Sequence, residues 1–261
     1  MICPSCGIEN LNNAKFCKKC GKKIISTDPT PKPPVVPVPT PAVAPGTPLP
    51  NQVITVKYLP SQVKKPLHYI WICDCSESMQ TGGKMAAVND AIPRAIESIA
   101  QEEVKVKKAS IYMNALKFSC GAEWMFNDNI PVKSFQWENL NCEGITDLGQ
   151  AFLKLAAYLK FQKNRGKMPE MAYPPVLVLI TDGYPTDDWE TGLNELNKEF
   201  WADKAVRLAF GLEGADREVL ERFVGGDKEK IIEVHDLGKL ATEIKFQTTV
   251  NKVRDRMPPG R

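Results

Sequence analysis

The chain has 261 residues, of which 43% are hydrophobic and 25% are charged, as is typical of a globular protein with one large core and a smaller appended unit. Its formal net charge of +3 lies at the N-terminal end. Residues 51–261 are near neutral and give no electrostatic reason to expect nucleic-acid binding there, so any such binding would rest on the small basic end. The longest apolar runs, such as 176–180, are far shorter than the ~20 residues of a membrane helix. Residues 1–28 open on cysteines rather than on a signal peptide, so we expect a cytoplasmic protein with no membrane partner and no nucleic-acid partner.

Two Cys-x-x-Cys pairs lie within residues 1–28. Each pair is followed by a glycine, and ten residues separate the pairs. Two such knuckles offer four thiolates to one tetrahedral Zn²⁺, and a unit this small needs the metal in order to fold. We therefore predict a structural zinc site at Cys3, Cys6, Cys17 and Cys20, with disulfides or redox-active cysteines as the alternative. The segment is similar to the zinc-ribbon family, whose members bind proteins, nucleic acids or only their metal.

A proline-rich segment follows the cysteine pairs. Residues 29–50 contain ten prolines among threonine, valine and alanine. Because proline fixes φ and lacks an amide donor, this composition predicts an extended linker. The chain is thus divided into a zinc ribbon at 1–28, a linker at 29–50 and a larger domain at 51–261.

Strands and helices are predicted to alternate in the larger domain. The predicted strands are 53–58, 67–73, 110–118, 122–126, 176–181, 206–211 and 231–234. The predicted helices are 84–101 with a kink at Pro93, 147–159, 188–201, 217–224 and 237–250. The strand at 176–181 is almost wholly apolar, which is typical of a parallel strand covered on both faces. The pattern predicts an α/β fold with a doubly wound, Rossmann-like, mostly parallel sheet.

Oxygen-bearing side chains follow two of the predicted strands. Asp74, Ser76 and Ser78 come after one strand, Asp182 comes after another, and Thr146 precedes a helix. In open α/β sheets ligands bind at the carboxyl ends of the strands, and hard oxygen ligands suit Mg²⁺ or Mn²⁺. We predict that these five residues form one divalent-cation site. The alternative is that the hydroxyl residues cap helices and that Asp182 is a turn residue.

These motifs resemble those of the von Willebrand factor A (vWA) family over roughly residues 66–250. The resemblance implies the vWA fold and a metal-ion-dependent adhesion site (MIDAS) at Asp74, Ser76, Ser78, Thr146 and Asp182, which an Asp or Glu of a partner protein completes. Residues 144–149 and 181–189 are similar to the bacterial TerY-like branch. That similarity implies a scaffold or adaptor in a prokaryotic signalling or stress-response system, such as tellurite resistance, with a Ser/Thr kinase or a PP2C-type phosphatase as partner. Cys75 and Glu77 depart from the residues frequent at their positions.

We expect a binding or adaptor protein rather than an enzyme, with no catalytic residue. The sequence has no phosphate-binding glycine loop, no Gly-x-Ser-x-Gly elbow and no His beside a candidate nucleophile. Two alternatives stay open: metal-assisted phosphoryl transfer or hydrolysis at the same site, and nucleic-acid binding by the zinc ribbon with the α/β unit as scaffold. Cys73, Cys120 and Cys142 are predicted to be free thiols, and neither His68 nor His235 is predicted to bind metal.

Overall fold

The computed structural model describes residues 64–105 and 109–249. The four cysteines of the predicted zinc site, the proline-rich segment and the predicted strand at 53–58 lie outside these residues. The division of the chain at residues 28 and 50 therefore stays a prediction.

Strands and α-helices alternate through the described residues. The strands are β1 (Lys65–Asp74), β2 (Ala109–Ser119), β3 (Gly121–Trp124), β4 (Ile130–Pro131), β5 (Val176–Thr181), β6 (Val206–Gly211) and β7 (Ile231–Glu233). The α-helices are α1 (Lys84–Lys105), α2 (Leu148–Asn164), α3 (Trp189–Asn197), α4 (Phe200–Lys204), α5 (Arg217–Phe223) and α6 (Leu237–Gln247). Shorter 3₁₀ segments span Glu77–Gly83, Val132–Ser134 and Lys228–Lys230.

The strands form one mixed, mostly parallel sheet in the order β3-β2-β1-β5-β6-β7, and β4 also pairs with β2. Pairing is parallel from β2 through β1, β5 and β6 to β7, while β3 and β4 run antiparallel to β2. The chain goes from β1 to β2 on one side and then crosses to β5 on the other. The carboxyl ends of β1 and β5 therefore meet at the switch point, where ligands bind in sheets of this kind.

Helices cover both faces of the sheet. In β1, Tyr69 and Trp71 pack on the face covered by α1 and α6, whereas Ile70 and Ile72 pack on the face covered by α2, α3, α4 and α5. Every residue of β5 is buried. The predicted doubly wound sheet is confirmed, because alternate side chains of the central strands enter two separate cores.

The ends of several helices differ from those predicted. The helix predicted at 84–101 continues through Pro93 to Lys105. Its apolar residues at helical spacing are all buried: Met85, Val88, Ile92, Ala95, Ile96 and Ile99. Helix α2 extends past residue 159 to Asn164, and the added turn contains the buried Gln162. Helix α6 ends at Gln247 rather than at residue 250. No helix of the described part of the chain is long and apolar enough to cross a membrane.

The prediction of a single helix at 188–201 is wrong, because two helices occupy this segment. The backbone of Glu199 is extended, with a ψ of 132°, and this residue separates α3 from α4. The break allows Trp201 to turn into the core, where its indole Nε1 donates to the carbonyl oxygen of Met168 at 2.9 Å. Burial of this large side chain outweighs the continuous helix that the local pattern favours.

Candidate metal site

The two predicted carboxylates lie at the same edge of the sheet. Asp74 ends β1, and Thr181 ends the neighbouring β5 directly before Asp182. The hydroxyl Oγ1 of Thr181 donates to Oδ2 of Asp74 at 2.5 Å. Both aspartates are buried, and Asp74 is 0% exposed. Parallel pairing of β1 with β5 thus brings together carboxylates that are far apart in the sequence.

A chain of hydrogen bonds links the two aspartates through the serines. The amide of Ser76 donates to Oδ1 of Asp74 at 2.9 Å, and the hydroxyl oxygens of Ser76 and Ser78 lie 3.0 Å apart. Oγ of Ser78 donates to Oδ1 of Asp182 at 2.7 Å. Met79 of the same loop is fully buried in the hydrophobic core. This loop therefore holds its hydroxyl groups beside both carboxylates.

Thr146 is fixed beside this loop by backbone hydrogen bonds. The amide of Glu77 donates to the carbonyl oxygen of Gly144 at 3.1 Å. The Thr146 amide donates to Oγ1 of Thr186 at 3.1 Å, and the Thr186 amide donates to the Thr146 carbonyl oxygen at 2.9 Å. The loops that carry Ser78, Thr146 and Asp182 are thus tied together.

Gly183 shows how closely the oxygens converge. A methyl group added to Gly183 would lie 3.4 Å from Oγ1 of Thr146, 3.7 Å from Oγ of Ser78 and 3.8 Å from Oδ2 of Asp74. These three oxygens therefore surround one small space, and hydrogen bonds connect Ser76 and Asp182 to the same cluster. All five residues predicted for the second metal site are brought together, and their oxygen atoms are of the kind that Mg²⁺ and Mn²⁺ prefer.

The capping alternative does not account for two of these residues. Ser76 precedes the 3₁₀ segment Glu77–Gly83, but its side chain accepts no capping hydrogen bond. Helix α2 is preceded at its N-cap position by Asp147 rather than by Thr146. The hydroxyl groups of Ser76 and Thr146 therefore do not act as helix caps.

Nearby thiols are poor competitors for a cation. Burial raises the pKa of Cys75 to about 12, and burial together with the charges of Asp182 and Asp74 raises the pKa of Cys142. In the metal-free protein these raised pKa values keep both thiols protonated at neutral pH, and sulfur is a softer ligand than Mg²⁺ and Mn²⁺ prefer. Burial also raises the pKa of Asp74, against hydrogen bonds from Ser76 and Thr181 that lower it. In the described residues no three His, Cys, Asp or Glu side chains cluster as metal ligands, so the hydroxyl-rich oxygen set is the candidate.

Lys84 is a charged neighbour of the site that the sequence did not reveal. Its Nζ donates to Oδ2 of Asp182 at 2.6 Å and to the carbonyl oxygen of Glu213 at 2.8 Å. Lys84 is the first residue of α1, where the helix dipole disfavours a cation, and α1 has no acidic residue in its first turn. The one sequence signal is therefore a lysine at an unfavourable position, which by itself identifies no partner.

Asp187 is a second residue that the sequence analysis missed. Its Oδ1 accepts from the Gly149 amide at 2.8 Å, and its Oδ2 accepts from the Gln150 amide at 2.9 Å. A side chain from another loop thus satisfies free amides at the start of α2. Helices α2 and α3 also touch closely, since a methyl group at Gly192 would lie 2.5 Å from the Gly149 carbonyl oxygen. Both contacts fix the helix that follows Thr146.

His68, which we did not predict to bind metal, makes stability depend on pH. It is buried against Tyr112, with ring centroids 5.3 Å apart, and burial lowers its pKa to about 4. The folded state keeps His68 neutral while the unfolded chain takes up a proton below pH 6.5, so this contribution to stability is lost as the pH falls from 6.5 towards 4. From pH 7 to 4.5 we expect the contribution of His68 to the free energy of unfolding to fall by about 2.5 kcal/mol.

Urea unfolding followed by tryptophan fluorescence measures this loss. All five tryptophans lie within residues 51–261, so the signal reports on the larger domain. The loss attributed to His68 should disappear in His68→Gln and persist in His235→Gln, because His235 is exposed. An equal pH dependence in both variants would contradict the assignment to His68.

The sequence matches two known families. A model of the von Willebrand factor type A (VWA) domain matches residues 70–246, which is more than half of the chain. The chain belongs to the VWA family. A zinc-ribbon domain model matches residues 2–24, in agreement with the predicted ribbon. A comparison with curated proteins gave no match, and membership of the TerY-like branch stays a prediction.

Solved structures share the fold of this VWA domain at low sequence identity. A von Willebrand factor type A protein from Catenulispora acidiphila is 15% identical over 72% of this chain and 43% of its own, with a TM-score of 0.53. Proximal thread matrix protein 1 from the mussel byssus was solved with a zinc-occupied MIDAS motif. It is 17% identical over 70% of this chain and 47% of its own, with a TM-score of 0.52. The pilus adhesin SpaC from Lactobacillus rhamnosus GG is 13% identical over 74% of this chain and 31% of its own, with a TM-score of 0.56. The chain spans less than half the length of each, and the likeness is one of fold.

Proposed function

We propose that the VWA domain is a metal-dependent protein-interaction module. Asp74, Ser76, Ser78, Thr146 and Asp182 hold Mg²⁺ or Mn²⁺, and an Asp or Glu of a partner protein completes the site. The proposal rests chiefly on the convergence of Thr146 Oγ1, Ser78 Oγ and Asp74 Oδ2 beside Gly183. Two of the five residues are charged and the others are neutral hydroxyls, so a cation bound there stays electrophilic. Because Mg²⁺ takes six oxygen ligands, water or an external carboxylate must complete its shell. VWA domains often carry such a site and bind proteins through it.

Exposed apolar side chains beside the site support a protein partner. Ile145 is 49% exposed and precedes Thr146, and Tyr184 is 69% exposed and follows Gly183. The mutual hydrogen bonds of Thr146 and Thr186 hold these two loops side by side. Large apolar side chains rimmed by polar groups are typical of interaction surfaces. We assign partner specificity to the two loops, residues 142–146 and 184–189.

The wider role proposed for the chain is that of a cytoplasmic adaptor. Its support is the resemblance of residues 144–149 and 181–189 to the TerY-like branch, which suggests a prokaryotic signalling or stress-response system with a Ser/Thr kinase or PP2C-type phosphatase as partner. In this proposal Cys3, Cys6, Cys17 and Cys20 bind a structural Zn²⁺ and residues 29–50 link the ribbon to the VWA domain.

Partner binding should require both the divalent cation and Asp182. The immobilised full chain is incubated with lysate of the source cells in Mg²⁺ or in EDTA, and retained proteins are identified by mass spectrometry. We expect a partner that wild type retains in Mg²⁺ and that Asp182→Ala does not retain. Retention of the same partner at full strength in EDTA would contradict the proposal.

A second bait separates the contribution of the zinc ribbon, because EDTA also removes zinc. The pull-down is repeated with a chain that lacks residues 1–28. If the VWA site binds the partner, retention by this shortened chain stays dependent on Mg²⁺ and on Asp182. Loss of the partner on deletion of the ribbon would instead assign partner binding to the ribbon.

A further inference from the structure

Lys84 places a positive charge beside the proposed cation site. Its Nζ lies 2.6 Å from Oδ2 of Asp182 and donates also to the carbonyl oxygen of Glu213. The Lys84 side chain is 13% exposed and that of Asp182 is fully buried, so water screens this ion pair weakly. A lysine at the start of a helix opposes the helix dipole, so helix stability does not explain its presence there.

The carboxylate of Asp182 divides its two oxygens between different partners. Oδ1 accepts from Oγ of Ser78 at 2.7 Å and so belongs to the hydroxyl cluster. Oδ2 accepts from Lys84 instead. The ammonium group therefore lies directly behind a carboxylate that faces the cluster, close enough to act on any charge bound there.

The charge balance of the site depends on Lys84. Asp74 and Asp182 carry two negative charges, which a divalent cation would neutralise. Lys84 adds one positive charge, so the loaded site has an excess positive charge that an incoming carboxylate can neutralise. Repulsion by Lys84 opposes the cation and attraction to Lys84 favours the carboxylate, so its charge has opposite effects on the two binding steps.

We propose that Lys84 is a built-in counter-cation that weakens divalent-cation binding and strengthens binding of the carboxylate that completes the site. This inference rests on the proposed function, because it presupposes a cation held by Asp74 and Asp182. Lys84 acts through Asp182 and through its charge, and it is not itself a metal ligand.

The test compares wild type with Lys84→Met, which keeps a long apolar side chain and removes the charge. Isothermal titration gives the Mn²⁺ affinity of each protein, first in sodium chloride and then in sodium acetate of the same ionic strength, with acetate as the carboxylate probe. We expect Lys84→Met to bind Mn²⁺ about tenfold more tightly in chloride. We also expect acetate to strengthen Mn²⁺ binding less in this variant than in wild type.

Two further variants make the comparison specific. Lys198→Met removes a lysine that is paired with Glu195 but exposed, and it should leave Mn²⁺ affinity unchanged. If Lys84→Met does not fold, Lys84→Gln carries the same expectation, because its amide can still donate to Asp182 without a charge. A thermal melt of each variant without metal checks the fold.

The outcomes separate this inference from the proposed function. Mn²⁺ affinity that is unchanged or weaker in Lys84→Met, while wild type binds Mn²⁺ through Asp74, overturns the role of Lys84 alone. Absence of saturable Mn²⁺ binding in wild type and in both Lys84 variants overturns both proposals. Binding by Lys84→Met but not by wild type supports the inference in its strongest form, with the ammonium excluding the cation.

Discussion

Replacement of Asp74 with asparagine is expected to weaken Mn²⁺ and Mg²⁺ binding at least about 100-fold, since loss of an outer-shell partner alone costs 10-fold to 100-fold. The carboxylate is a charged ligand, whereas an amide oxygen is neutral. The fold should be kept, because the amide can still accept from the Ser76 backbone and donate to Oγ1 of Thr181. Because burial raises the pKa of Asp74, a neutral replacement should also leave the metal-free melting temperature unchanged or higher.

Isothermal titration with metal and a thermal melt measure the two effects of Asp74→Asn. Asp90→Asn is the matched control, since Asp90 is exposed and paired with Arg94 on the surface of α1. The control should bind Mn²⁺ as wild type does. Zinc content, measured by elemental analysis, should be the same in all three proteins. Undiminished Mn²⁺ binding by Asp74→Asn would show that Asp74 is not a ligand of the cation.

A single methyl group at Gly183 should weaken cation binding strongly without unfolding the domain. In Gly183→Ala the new carbon lies at ordinary contact distance from Thr146, Ser78 and Asp74, so the metal-free fold can accept it. The φ of Gly183 is not in the left-handed region, so alanine causes no backbone strain there. The methyl group lies within 3.8 Å of all three oxygens and so takes up room that a cation and its remaining ligands need. We expect Mn²⁺ binding to fall at least about 100-fold, comparable to the loss of a ligand, and the melting temperature to change by less than about 4 °C.

Gly238→Ala is the control for this substitution. It adds the same methyl group at the start of α6, where the nearest heavy atom is Oδ1 of Asp236. Gly238→Ala should bind Mn²⁺ normally. Normal Mn²⁺ affinity in Gly183→Ala would mean that the cation lies elsewhere, even if Asp74 proves necessary. The two experiments thus test the position of the site and the identity of its ligands separately.

Much of the fold could be predicted because the apolar pattern is local. Alternation of short apolar runs with helical periodicity marked β1, β5 and β6, and the apolar run of β5 indicated burial on both faces. The split between α3 and α4 could not be predicted, because nothing local at Glu199 ends a helix. It depends on the burial of Trp201 and on its hydrogen bond to Met168, which is 33 residues away in the sequence.

The sequence by itself determined which residues end the central strands, and therefore that Asp74 and Asp182 lie at the carboxyl edge of the sheet. Only the tertiary structure decided what surrounds them. Pairing of β1 with β5 brings Thr181 to Asp74 across 107 residues, and the start of α1 brings Lys84 to Asp182 across 98 residues. Periodicity and propensity describe neighbours along the chain, whereas the contacts around a buried carboxylate follow from strand order and helix packing, which local patterns leave open.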